Sequence, residues 1–316
     1  MPGWEDAVAE HDVIERLDEM IVAILAGRRD TPVVDADLAM LAAVAVDLRD
    51  LPNPEFKTKL RRQLMPTVEV KQELQGLTPY FVVDNADRFI QFLREAFGAE
   101  LLGRFTRPDG SVMHAQLKID DSFIELGEAN GPYSSAAMAI HLYVDDADAV
   151  YSRALSAGGT SLRPMTDQFY GDREGSVADP AGNFWYIATH KATGSKPPGF
   201  RTITPFIHVR GVDRLMEFLK TAFGALELDR YVADQLVLHG AMQIGDSILE
   251  MGEGEGEWKP KPAHIHLFVP DADAVFAKVL QAGATVLYPI ADMPYGERSG
   301  GVTDPFGNQW FIATPK

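Results

Sequence analysis

The chain has 316 residues, with 46 Asp and Glu against 29 Lys and Arg, a formal net charge of −17, and no cysteine. That length suits two or three domains of roughly 100–150 residues each. The missing thiols exclude disulfides, thiolate zinc centres and cysteine nucleophiles, and the negative charge disfavours nucleic acid and anionic membranes as partners.

The opening MPGWEDAVAEHD lacks the basic-then-apolar order of a signal peptide. No apolar run nears the roughly 20 residues that cross a bilayer, so a soluble, cytoplasmic protein is expected. Residues 1–68 read as a helical accessory domain. Val13, Leu17, Met20 and Ile24 recur at helical spacing, then Leu38, Leu41, Ala45 and Leu48, then Phe56, Leu60 and Leu64, with Pro66 as a stop. The apolar stripes need cover, so self-association or protein docking through this block is expected. The basic run Lys57, Lys59, Arg61 and Arg62 reads as a solvated helix face.

Beyond it the chain is written twice, at 76–190 and 202–315, across the linker KATGSKPPGF. YGDREGSVADPAGNFWYIAT (170–189) returns as YGERSGGVTDPFGNQWFIAT (295–314), with thirteen of the twenty positions identical. Each copy opens on an extended segment, TPYFVV or TPFIHV. An amphipathic helix follows, ending at AFGA with Gly98 or Gly224 as its stop. Three strands come next, LLGRFTR, VMHAQLKID and SFIELGE in the first copy. The strand–helix–strands order then restarts at AIHLYV and HIHLFV, with helices expected near 147–157 and 272–282. Each copy is thus two βαβββ units. ADPAGN and TDPFGN supply turn residues, and FWYIAT and QWFIAT supply final strands whose Trp185 and Trp310 read as core.

FGAELLGRF, MHAQLKIDDSFIELGE, LYVDDADAVY and DQFYGDREGSVADPAGNFWYIAT together resemble the vicinal oxygen chelate superfamily, the glyoxalase, bleomycin-resistance and extradiol-dioxygenase group, most closely its PhnB-like branch. The resemblance covers residues 77–315. It implies an α+β fold in which paired βαβββ units curve mixed sheets around a cavity, with helices outside. It also implies a divalent-metal site drawn from the first, fourth, fifth and last strands of each domain.

Lined up with that pattern, the four places hold Thr78, Glu125, Ala139 and Tyr186 in the first copy, and Thr204, Glu250, His264 and Phe311 in the second. One carboxylate holds a divalent ion weakly, so no metal is expected in the first domain. Glu250 and His264, with His266 on the same strand face, are the alternative set for a divalent metal in the second. His208, His239, His264 and His266 put four of the eight histidines in that copy.

Strand alternation adds Tyr80, Phe123, Tyr143, Phe206 and Phe268 as aromatic cavity residues, with His141 and Tyr186 beside them. His114 and His239 occupy equivalent third-strand places, either as structural hydrogen-bonding groups or as ligand-orienting ones. Arg173 and Arg298 precede the last hairpin, with Tyr170 and Tyr295 at the same rim. Each arginine could hold a ligand carboxylate or pair with a nearby acid. The functional expectation is a metal-free binding protein for a small, partly aromatic molecule. The alternative is a metal-dependent lyase, isomerase or dioxygenase working from the second domain. Whether the chain is an enzyme stays open at this level.

Overall fold

The structure, a computed structural model, describes residues 76–130, 134–255, 258–293 and 296–316. The helical reading of residues 1–68 and the placement of Tyr295 lie outside them. Each repeat forms βαβββ twice, as expected. The first contributes β1 (Leu77–Val83), α1 (Ala86–Phe97), β2 (Glu100–Thr106), β3 (Val112–Ile119) and β4 (Ser122–Glu128), then β5 (Ala139–Tyr143), α2 (Ala147–Ser156), β6 (Thr160–Asp167), β7 (Asp172–Ala178) and β8 (Phe184–His190). The second contributes β9 (Ile203–Val209), α3 (Val212–Phe223), β10 (Leu226–Ala233), β11 (Leu236–Ile244) and β12 (Ser247–Glu253), then β13 (His264–Phe268), α4 (Ala272–Gln281), β14 (Thr285–Asp292), β15 (Glu297–Thr303) and β16 (Gln309–Pro315).

Helix ends follow local chemistry. The Asn85 side chain accepts from the Arg88 amide at the start of α1, and Asp146 and Asp271 do the same for α2 and α4. At α3 the cap position is Gly211, which has no side chain. The Glu253 carboxylate from β12 takes over, accepting from the Gly211 and Val212 amides at 3.0 and 3.2 Å. Gly98 and Gly224 close α1 and α3 in the left-handed conformation, φ +70° in both, where a Cβ would be strained.

The strands join in an order that local sequence does not specify. One eight-stranded sheet runs β14-β15-β16-β13-β1-β4-β3-β2 and the other β10-β11-β12-β9-β5-β8-β7-β6. The seams are antiparallel, β1 against β13 with Thr78 opposite His266, and β5 against β9 with His141 opposite Thr204. Each sheet therefore takes one βαβββ unit from each repeat. The fold class stands, but the sequence reading that collects four ligand places within one copy does not. Thr78 and Glu125 share a sheet with His264 and Phe311, whereas Thr204 and Glu250 share the other with Ala139 and Tyr186.

The two units of one repeat meet instead through their helices and core. Trp185 of β8 is fully buried, its ring 4.6 Å from Phe97 of α1 and stacked 5.9 Å from Phe81 of β1. Trp310 does the same against Phe223 at 4.5 Å. Arg153 of α2 donates to the Ala96 carbonyl at the end of α1. The linker is held too: Lys196 pairs with Asp121 at 2.6 Å, on the β3–β4 turn.

On the helix side, Gly300 of β15 lies under α4. A Cβ there would stand 2.7 Å from the Phe276 ring and 2.9 Å from the Ile290 backbone, while at the equivalent Gly175 the nearest atom is the Met165 sulfur at 2.6 Å and the Tyr151 ring and Met165 backbone are farther off, at 3.0 and 3.1 Å. Backbone cannot yield as a thioether can. We expect Gly300→Ala to cost about 1–3 kcal/mol and Gly175→Ala less. Urea midpoints of the two variants check the order.

Candidate functional site

Strand alternation and the inter-repeat seams bring ionisable and aromatic side chains together twice, once in each sheet. In the β1–β13 sheet, Glu125 of β4 and His266 of β13 are both buried, with Nδ1 2.6 Å from the Glu125 Oε2. Gln116 donates to the other Glu125 oxygen at 3.4 Å, and Glu297 of β15 lies 3.6 Å from the His266 Nε2. The Phe268 ring sits 4.2 Å from the His266 ring, and Tyr80 bridges His114 and Phe311 at 5.9 and 5.3 Å. Burial opposes charge on both members of the central pair, yet their mutual attraction wins. It raises His266 above and lowers Glu125 below their ordinary values. His264, buried without a charged partner, is held neutral, its pKa lowered to about 4.

In the β5–β9 sheet the counterparts are His141 of β5 and Glu250 of β12, Nδ1 to Oε2 at 2.8 Å. Glu174 of β7 lies 3.4 Å from the other ring nitrogen, and His239 of β11 lies 3.4 Å from the second Glu250 oxygen. Asp172, two residues before Glu174 on the same strand face, holds the His190 Nδ1 at 2.6 Å. Burial works against the His141 charge, but Glu250 and Glu174 outweigh it and raise the ring to about 10. Glu250 is lowered to about 2 by His141 despite its own burial.

An aromatic wall stands beside this group. Tyr143 stacks on His141 at 4.1 Å. Tyr186 and Phe206 lie 5.2 Å apart, and Trp258 stacks on His208 at 5.6 Å. The Tyr186 hydroxyl and the His208 Nε2 share a 2.7 Å hydrogen bond, and Arg163 lies 4.4 Å over the Trp258 ring. Burial, with Lys261 and Arg163 adding to it, lowers His208 to about 4.

Of the residues singled out from sequence, Tyr80, His114, Glu125, His264, His266 and Phe268 gather in the first site. His141, Tyr143, Tyr186, Phe206, His239 and Glu250 gather in the second. The set Glu250, His264 and His266 is divided, because β12 and β13 belong to different sheets. Arg173 and Arg298 join neither site as ligand-holding groups. Arg173 pairs with Asp148 of α2 at 2.7 Å, and Arg298 pairs with Asp273 of α4 and with Asp292, in each case pinning a helix to its sheet.

The implied family metal does not fit the places assigned to it. One sheet offers Thr204, Glu250, Ala139 and Tyr186, with the carboxylate already bonded to His141. The other offers Thr78, Glu125, His264 and Phe311, with Glu125 bonded to His266. Sequence reasoning passed over Glu174, Asp172 as a site residue, His190, Glu297 and Trp258. The signal for the first two was present in Asp-Arg-Glu of β7, where alternate residues are acidic on a strand that buries that face.

Two mixed eight-stranded sheets, each completed by a βαβββ unit from either repeat, define a paired βαβββ protein. The family model of the Glyoxalase/Bleomycin resistance protein/Dioxygenase superfamily matches residues 77–187 and again 202–312. The chain belongs to that superfamily. An uncharacterized protein of Mycobacterium bovis is 42% identical over 123 residues, covering 35% of this chain and 81% of the relative. An uncharacterized protein of Mycobacterium tuberculosis is 42% identical over 123 residues, 35% and 72% respectively. Glyoxalase I from Zea mays shares the fold with TM-score 0.60 at 18% identity, over 75% of this chain and 92% of its own.

Proposed function

We propose that the protein binds a small, partly aromatic molecule at the β5–β9 site, without the metal arrangement its family commonly uses. The carrying observation is the ring group Tyr186, Phe206 and Trp258 beside the polar His208 and His239. The Phe206, Trp258 and His239 side chains are only half-buried and so open to a ligand. Supporting it, three of the family's four ligand places here hold Thr204, Ala139 and Tyr186, and the fourth, Glu250, is bonded to His141, which leaves orientation to hydrogen bonds and ring contacts. The net charge of −17 disfavours nucleic acid and anionic lipid as partners and so fits a small-molecule one, and we place the protein in the cytoplasm as part of this reading.

Benzylamine, benzamide and benzoate differ in charge around one ring and serve as probes in ligand-observed saturation-transfer NMR. We expect at least one to bind saturably, and Trp258→Ala or Tyr186→Leu to weaken it about tenfold, in line with a lost ring contact plus its burial. No saturable binding by any of the three, or undiminished binding in both variants, would remove this reading.

A further inference from the structure

Within the β5–β9 sheet, three ligand atoms, one each from His141, Asp172 and Glu174, lie within 4.8 Å of one another, all three residues buried. The His141 ring is aimed at this point. Its Nδ1 contacts Glu250 at 2.8 Å, while its Nε2 makes no hydrogen bond and faces Glu174 at 3.4 Å, in a side chain only 8% exposed. A ligating histidine ordinarily has this outer arrangement, one ring nitrogen on a carboxylate and the other on the ion. The 3.4 Å between the His141 Nε2 and Glu174 is a donor separation that suits a first-row divalent ion at about 2.1 Å, with the Asp172 donor within 4.8 Å of both.

We propose that His141 Nε2, Asp172 and Glu174 form a divalent transition-metal site, with Glu250 orienting the imidazole, at a place displaced from the ligand positions the family resemblance assigns. One nitrogen and two carboxylates suit Zn²⁺ or Mn²⁺ better than Mg²⁺, and three protein donors leave open positions for water or a ligand oxygen. The other sheet cannot form this site. Its matching strand position to Glu174 is Ser299, opposite Ala313 as Glu174 is opposite Ala188, and Pro315 stands where His190 does. The described residues therefore offer this site once. The inference does not rest on the aromatic-ligand reading, because the ion is titrated with no organic ligand present.

The test uses the full chain, stripped with chelator and titrated calorimetrically with Zn²⁺, Mn²⁺ and Mg²⁺. Expected are one equivalent of Zn²⁺ or Mn²⁺, weaker Mg²⁺ binding, and water relaxation by bound Mn²⁺ that reports coordinated water. Glu174→Gln should weaken the site about 30-fold or more, and Glu250→Gln about 10–100-fold. Ser299→Ala should leave affinity and stoichiometry as they are. In ¹⁵N-histidine spectra of the unsubstituted chain, Zn²⁺ should shift the His141 Nε2 resonance, a readout that survives any folding defect in the variants. Absence of a saturable site, an unmoved His141 resonance, or equal affinity in folded Glu174→Gln protein would overturn the proposal. Preference for Mg²⁺ would overturn its metal class.

Discussion

Asp179→Ala should lower the unfolding free energy by about 3–5 kcal/mol, read as a fall in the urea midpoint. This carboxylate accepts four hydrogen bonds. One oxygen takes the amides of Ala181 and Asn183 at 2.8 and 3.0 Å. The other takes the Asn183 side-chain amide at 2.9 Å and the Trp185 indole at 2.8 Å. Asn183 is itself fully buried, and its side-chain oxygen accepts from the Met138 amide at the mouth of β5. The turn thus ties the β7–β8 hairpin both to the neighbouring parallel strand and to the core tryptophan. Alanine leaves buried donors without acceptors, each costing about 1–3 kcal/mol. Asn at 179 would do little better, since its amide would face two donors. Adding Trp185→Phe removes one of the stranded donors, so the double variant should lose less than the sum. Asp304, Asn308 and Trp310 repeat the set with indole to carboxylate at 3.0 Å, so Asp304→Ala should behave alike. Two unaffected midpoints would refute this account of the repeated Asp-Pro-x-Gly-Asn-x-Trp stretch.

That stretch also shows how much of the molecule the sequence discloses. Asp, Pro, Gly and Asn announce a turn through their own backbone preferences, and alternating apolar residues announce a strand. Such signals are local, so the βαβββ order, the helix stops at Gly98 and Gly224 and the core tryptophans could all be read before the fold was known. Strand partnership is not local. AIHLY of β5 and HIHLF of β13 present nearly the same alternation, and β1 meets the second of them. Nothing in either segment distinguishes a seam within a repeat from one between repeats.

The divided sites follow from that exchange. Glu125 and His141 lie in one repeat yet never meet, because each finds its partner in the other: Glu125 with His266, Glu250 with His141. Residue types were therefore legible while their pairing was not. The same exchange explains what duplication accomplishes here. A single repeat holds half of each sheet and half of each ionisable group, and covalent linkage joins both halves. Once both sites are encoded in one chain they can differ. Glu174 against Ser299 makes one site more acidic, Tyr143 against Phe268 takes a hydroxyl from the other, and Ala139 against His264 gives that other site an imidazole instead.

The His266–Glu125 pair should show its value as a coupling that depends on pH. Both groups are buried, so His266→Leu strands a carboxylate and Glu125→Leu strands an imidazole, each at about 3–5 kcal/mol. Replacing both should cost much less than the sum, since two apolar side chains need no partner. The histidine is raised in the folded state, so its contribution is complete below the ordinary value of about 6.5 and is lost as pH climbs through the raised one. The glutamate is lowered, so its contribution is complete above about 4.3 and is lost as pH falls through the lowered one. The coupling is therefore greatest between roughly pH 4.3 and 6.5 and declines on either side. Glu297, raised by burial, and His114, lowered by burial, face the same pair. Both interact with the pair, so the cycle is repeated in a Glu297→Gln, His114→Gln background to separate their titrations from the coupling. Urea unfolding of the four proteins across that range and beyond measures the coupling directly. A flat profile would mean that the two side chains touch without being charged.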